Sequence, residues 1–257
     1  MTDAPVMTNA HFGWFAGPDS TISESGWDNG PSLTELSGLD NYSATVKIDG
    51  TDFNVEASDQ VEDRSFADEA GAQSRGAMQA SGSVEIYTPG RGDTTSVNAK
   101  GWETFGIPRT RLALVQRPVA PQDDSIAAGD EVNVFRVITD GGTHNRNDAS
   151  RTLGTSLLLQ DDIFVNYIVP SDPATAPAVT PSGPLALEEA GDVVFLKVTY
   201  EGRNITAGAK YISSDETVAR VTANGIVYAV SDGTATITVS YPGASSLSPI
   251  SVTVGGA

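Results

Sequence analysis

The sequence predicts a mainly β protein with a larger first domain, a smaller second one and a single short helix. Three observations carry this. Apolar and β-branched residues alternate with period two along most of the chain, Gly/Asp/Pro turns separate the alternating runs, and one stretch is too rich in proline to stay in a sheet. In order, strands are expected at 42–48 (Ala44, Val46 and Ile48 on one face), 82–88 (Val84 and Ile86, with Glu85 opposite), 111–117, 131–139 and 163–169. The turns "DGTD" (49–52), "TPGRGD" (88–93) and "TDGGT" (139–143) punctuate them. "VNAKGWETFG" (97–106) reads as the short helix, and "SFADEAGAQSR" (65–75) could add another turn or two.

The boundary is "PSDPATAPAVTPSGP", residues 170–184, whose five prolines favour an extended, semi-rigid connector. Domains are therefore expected at 1–169 and 185–257. Beyond the connector, short strands at 192–200, 217–222, 225–230, 233–241 and 249–255 follow one another closely, the pattern of a small antiparallel sandwich. Asn224-Gly225 and Asp232-Gly233 supply the positive φ that its tight hairpin turns need.

The 257 residues include 33 acids and 15 bases, a net charge of −18. Through Pro170 there are 25 acids and 11 bases, and after it 8 and 4, so the larger domain carries most of the excess. That balance argues against gripping nucleic acid or an anionic membrane, both of which reward clustered Lys and Arg. The chain has no cysteine, which removes disulfides and thiolate metal sites. The N-terminal "MTDAPVMTNAHFGWFAG" has neither a basic nor an apolar signal region, so cytosolic synthesis is expected. No run approaches the length of a membrane span.

No catalytic constellation emerges, and no cofactor or metal is expected. His11 and His144 lie far apart among Gly and Asn and read as turn residues rather than metal ligands. No phosphate-binding glycine loop, serine elbow or zinc-protease helix motif occurs, and "DGTDFNVE" misplaces its acids for a calcium loop. A glycosidase needs only two carboxylates, so composition leaves that chemistry open. "GRGD" (90–93) reads as a turn.

The most unusual stretch is "SDQVEDRSFADEAGAQSRG", residues 58–76. Asp59, Glu62, Asp63, Asp68 and Glu69 stand among small residues with Arg64 and Arg75, and only Val61 and Phe66 are there to bury. Metal site, solvated loop and polar packing surface are the three readings. Mixed charge around one aromatic anchor fits a contact that stays polar until docked.

"YISSDETVARVTANGIVYAVSDGTATITVSY" (211–241) resembles the bacterial immunoglobulin-like domain of group 2, over roughly 185–255, with Tyr211 where family members usually carry Trp. Residues 57–90, a following Trp-Glu-x-Phe segment and "RTRLALVQR" together resemble major tail (tail tube) proteins of long-tailed actinobacteriophages, over approximately 12–169. This resemblance implies a β-sandwich whose inner sheet joins a barrel in hexameric rings, with the rings stacked into a non-contractile tube in the virion tail. Assembly would take place in the host cytoplasm, with tape-measure, tail tip and tail terminator proteins as partners. Viral DNA would pass through without specific binding, and the second domain would be displayed outside, where host-surface glycans are its expected ligands. In that frame Asp59, Val61, Glu62, Arg64, Phe66, Asp68 and Arg75 are the subunit-contact candidates. The competing readings are a carbohydrate-binding adhesin of two β modules and a carbohydrate-active enzyme with an appended module.

Overall fold

A computed structural model describes residues 12–56, 60–62, 73–75, 79–146 and 150–255. Contacts divide the chain into two compact units, the first built from 12–22, 38–125 and 132–165, the second from 23–37, 126–131 and 166 onward. In chain order the elements through residue 168 are β1 (Gly13–Pro18), α1 (Glu24–Asn29), α2 (Leu33–Ser37), β2 (Asp40–Asn41), β3 (Asp52–Glu56), β4 (Gln60–Glu62), β5 (Gln73–Arg75), β6 (Gln79–Tyr87), α3 (Val97–Phe105), β7 (Arg111–Arg117), β8 (Glu131–Arg146) and β9 (Arg151–Ile168).

The first unit is organised by a seven-stranded sheet in the order β2-β1-β7-β8-β9-β6-β3. Its centre is the long hairpin of β8 and β9. β7 covers only the first half of β8, from Gln116↔Asn133 to Arg111↔Ile138. β6 covers only the first half of β9, from Tyr87↔Thr152 to Ser81↔Leu158. The sheet is therefore staggered, and the far end of the hairpin projects beyond β7. One face buries Val84, Ile86, Leu112, Leu114, Phe135, Val137, Leu153 and Leu157 in a single cluster. Fully burying each such side chain contributes roughly 1.5–3 kcal/mol. α3 closes that face with Ala99 and Phe105, and Phe105 meets the Tyr42 ring edge-on at 5.4 Å. Ser96 caps α3 by accepting from the Ala99 amide, and Asp93 of the "GRGD" turn accepts from the Thr95 and Ser96 amides. β3 can approach β6 only because residue 82 is glycine. Gly82 has φ +140°, and a Cβ there would strike the Asp52 carbonyl.

On the other face sits Arg117, 1 % exposed. Its guanidinium donates to the carbonyls of Pro121, Asp124 and Ser125 at 2.6–2.7 Å and lies 5.1 Å from the centre of the Phe15 ring. One buried side chain thus sets the course of the 118–125 loop while the Asp123 and Asp124 carboxylates stay outside.

In the second unit, β10 (Ala178–Pro181), β11 (Ala186–Leu187), β12 (Val193–Tyr200), β13 (Arg203–Asn204), β14 (Lys210–Ser213), β15 (Ala219–Val221), β16 (Ile226–Ala229), β17 (Gly233–Ser240) and β18 (Ile250–Val254) form two sheets. The orders are β10-β12-β16-β15, with β13 beside β12, and β11-β18-β17-β14. Inward residues Val194, Leu196, Val198, Val227, Ala235, Ile237, Val239 and Val252 make the core between them. α1 and α2 also belong to this unit. Ser23 caps α1, and Ser32 with Glu35 forms a reciprocal capping box on α2. Burial would raise the Glu35 pKa, but hydrogen bonds from Ser23 and Ser32 outweigh it and hold the carboxyl below its usual range. Tyr167 donates to the Pro31 carbonyl at 2.7 Å and stacks on Tyr241, fastening the helical segment.

Several expectations change. Residues 42–48 are not a strand: Tyr42–Thr45 turn, Val46 makes one isolated bridge to Ile86, and a 3-10 turn follows at 48–50. Of the alternating residues only Val46 is buried; Ala44 and Ile48 face solvent, and the buried side chains of this loop are Tyr42, Thr45 and Val46. The strands read at 131–139 and 163–169 are parts of the much longer β8 and β9. Within the Pro-rich run, Ala178–Pro181 pairs with β12, at a sheet edge where proline's missing N–H costs nothing. Of the second helix candidate, 73–75 is strand and 65–72 lies outside the described residues. No helix among the described residues is long and apolar enough to cross a membrane.

Two stability tests follow from these contacts. Arg117→Ala strands three carbonyls and empties a packed site, so urea unfolding should show a loss of about 3 kcal/mol. The hydroxyl of Tyr200, 2 % exposed, meets no hydrogen-bond partner among the described residues. Burial, with the nearby Glu201 charge, pushes its pKa up to about 12. Tyr200→Phe should therefore be neutral or stabilise by about 1 kcal/mol, and a clear loss would show that the hydroxyl has a partner.

Candidate assembly surface

The 58–76 run lies between two residues that pair on the sheet, Glu56 and Gln79. It therefore leaves and re-enters at one place, beside the terminal strand β3. Within it, β4 and β5 form a separate antiparallel ribbon with the register Gln60↔Arg75, Val61↔Ser74 and Glu62↔Gln73. Among the described residues these strands pair only with each other, so both outer edges of the ribbon carry backbone donors and acceptors without a sheet partner. For Val61, Glu62 and Arg75 only the backbone is described, while Asp59, Arg64, Phe66 and Asp68 lie outside the described residues. The edges of the seven-stranded sheet are the two-residue β2 and the five-residue β3.

Asn224 and Gly225 stand in the turn between β15 and β16, closed by Gly225 N–H to the Thr222 carbonyl at 3.0 Å. A Cβ on Gly225 would come 2.7 Å from the Leu196 carbonyl. Asp232 and Gly233 stand at the start of β17, with Gly233 at φ +146°.

The two outer faces of the second unit differ. On the β17–β18 sheet Thr234, Thr238, Ser240, Ser251 and Thr253 are exposed along β17 and β18, with Lys210 and Ile212 exposed on the neighbouring β14. On the opposite sheet Val193 pairs with Tyr228 and Phe195 with Ile226. Phe195 is 54 % exposed, with Val193, Tyr228 and Val230 exposed beside it. Lys197 and Arg220 are exposed on this sheet as well. An ordinary solvated face would not hold this apolar row.

One site escaped the sequence reading altogether. At the projecting end of the β8–β9 hairpin, a cavity of about 470 Å³ is lined by Thr88, Trp102, His144, Asn145, Arg146 and Arg151. The Trp102 and His144 rings lie 5.3 Å apart. Under it Glu85, 6 % exposed, accepts hydrogen bonds from Thr152 and from Asn145 at 3.4 Å, and pairs with Lys47 at 3.2 Å. The Thr152 hydrogen bond leads in holding the Glu85 carboxyl below its usual pKa; burial opposes it, and Lys47 and Asn145 assist. "VEI" within a strand predicted Glu85 to face away from Val84 and Ile86, but long-range pairing supplies its partners. Among the described residues no group of three or more His, Asp or Glu could hold a metal ion.

A family model described as phage tail tube protein matches residues 1–172. A second, described as bacterial Ig-like domain (group 2), matches residues 190–241. No curated protein matches the chain.

Because the folded pKa of Glu85 is depressed, its contribution to stability is present at neutral pH and lost as pH falls through that pKa. Glu85→Gln should lower stability by about 1–3 kcal/mol at pH 7, with the difference from wild type shrinking as pH falls below the usual carboxylate range and through the depressed folded pKa. Urea unfolding at several pH values checks this, and a pH-independent difference would refute the charge assignment.

Proposed function

The chain belongs to the phage tail tube protein family, and from that premise we propose that it polymerises as stacked hexameric rings into the conduit for DNA ejection. Membership implies a structural tail component that self-assembles into a tube and associates with other tail proteins. The observation that carries the finer reading is the combination of a sheet ending in short strands with a separate ribbon of unpaired edges. Edge pairing between copies satisfies backbone groups that one copy leaves open. Rotation closes the ring, and axial stacking, which does not close, extends the tube.

The charge of the first 170 residues suits the same role. Carboxylates toward a lumen repel phosphates, so DNA slides without successive binding and release. Tape-measure, tip and terminator proteins are the partners this role requires, assembly taking place in the host cytoplasm. No catalysis is part of it. The residues proposed for subunit contact are Asp59, Val61, Glu62, Arg64, Phe66, Asp68 and Arg75, with Phe66 as the apolar anchor. The immunoglobulin-like module decorates the exterior and aids adhesion to host-surface glycans. The exposed row of Val193, Phe195 and Tyr228 supports that part, since aromatic faces stack on sugar rings and many copies convert a weak contact into avidity.

Negative-stain electron microscopy at rising protein concentration should show tubes bearing external knobs, absent for Phe66→Asp. Wild-type protein that stays monomeric would favour a two-module adhesin instead. On intact tails, Phe195→Ala with Tyr228→Ala should reduce attachment to host cells several-fold. Unchanged attachment would leave the module as a spacer.

A further inference from the structure

The first unit has an arginine-lined cavity at its hairpin end and a pair of exposed aspartates at the other, and the cavity has the chemistry to receive them. Arg146 ends β8, Arg151 begins β9, and Arg91 lies in the turn after β6, tied alongside by the Thr88 amide donating to the Arg151 carbonyl at 3.0 Å. All three arginines are exposed, and none forms an ion pair among the described residues. Two of them line the cavity, with His144 and the Trp102 ring beside them. Its floor is fixed, because Glu85 holds Asn145 and Thr152. Lys47 already offsets the Glu85 charge, so the guanidinium groups above retain a positive surplus. In a chain of net charge −18, such a surplus facing outward points to an anionic partner.

The far end of the same sheet is acidic. The 118–125 loop begins after Arg117, at the level where Gln116 pairs with Asn133, thirteen residues down β8 from Arg146. At 3.3 Å per residue this is about 40 Å from the cavity. Arg117 binds the loop's carbonyls inward, so the exposed Asp123 and Asp124 carboxylates are presented by a pre-set backbone. The acid-rich connection between Glu56 and Gln79 also leaves the sheet away from the hairpin end, eight residues down β6 from Tyr87.

We propose that the Arg146/Arg151 cavity is a docking site for the Asp123–Asp124 loop of a second copy of this chain. Guanidinium groups pair with carboxylates in a charge-assisted, geometrically specific way. Copies aligned in one direction place the acidic end of one against the basic end of the next. That contact is heterologous and does not close on itself, the arrangement that extends a filament. It also relieves the repulsion that identical acidic subunits would otherwise meet. The proposal rests on the tail-tube reading and adds to it the surface through which copies join end to end.

The test uses the full chain as wild type, as Arg146→Glu/Arg151→Glu, as Asp123→Arg/Asp124→Arg, and as an equal mixture of the two variants. Assembly is followed by sedimentation velocity and electron microscopy at low salt, with circular dichroism to verify that each variant folds. Each variant alone should need roughly tenfold or more higher concentration to assemble. The mixture, in which acidic ends again meet basic ends, should return to within about threefold of wild type. Variants that assemble at the wild-type concentration, or a mixture that does not recover, would overturn the docking site while leaving the tube reading intact. Wild-type chain that never associates would overturn both.

Discussion

Backbone hydrogen bonding along one long hairpin is the constraint from which the first unit follows. β8 and β9 are 16 and 18 residues long, and their outer edges need partners over most of that length. No single neighbour reaches that far. β7 takes the outer edge of β8 near its start, and β6 takes the outer edge of β9 near its start, which are opposite ends of the hairpin. The stagger separates the two ends of the sheet. One is the projecting tip with its arginines, and the other is the loop after β7 with its aspartates. α3 can cover the apolar face only because the connection from β6 to β7 must travel the same offset.

Two buried charged groups make this arrangement definite. Glu85 binds Thr152, Asn145 and Lys47 from three separate parts of the chain, and Arg117 binds a loop to the strand it follows. Each is costly to bury unless fully partnered, so each selects the single packing in which its partners are present. Both lie beneath surfaces rather than on them. Their role is to hold exposed charges in place: arginines above Glu85, aspartates beyond Arg117.

The second unit is a two-sheet sandwich specified largely by local pattern. Its core is a run of alternating Val, Ile, Leu and Ala, and its β15–β16 turn uses Gly225, where a Cβ would strike the Leu196 carbonyl. One outer face is hydroxylated along β17 and β18, while the other carries the exposed row of Val193, Phe195 and Tyr228, a difference that packing within the sandwich does not demand. α1 and α2 join this unit through Tyr167 on the Pro31 carbonyl and the Gly243 amide on the Asn29 carbonyl. The capping-box spacing of Ser32 and Glu35 was a readable sign of α2, but so short a helix offers little periodicity to support it.

The sequence by itself determined the β class, the strand at 111–117, the strand read at 233–241 to within a residue, the short helix read at 97–106, and the glycine turns. These are set by residues within a few positions of one another, where alternation, capping and φ preference act directly. The 42–48 stretch shows the limit: its residues alternate at period two, yet Ala44 and Ile48 are exposed and the loop is anchored through Tyr42 and Val46 instead. Motifs in 58–76 pointed to a family without locating the cavity. Only the tertiary structure brought Arg146, Arg151, Trp102 and His144 together above Glu85, and set Asp123 and Asp124 at the other end. Those groupings depend on strand register and on which distant strand satisfies which edge. Register is a property of pairs of strands, and no local pattern along one strand encodes it.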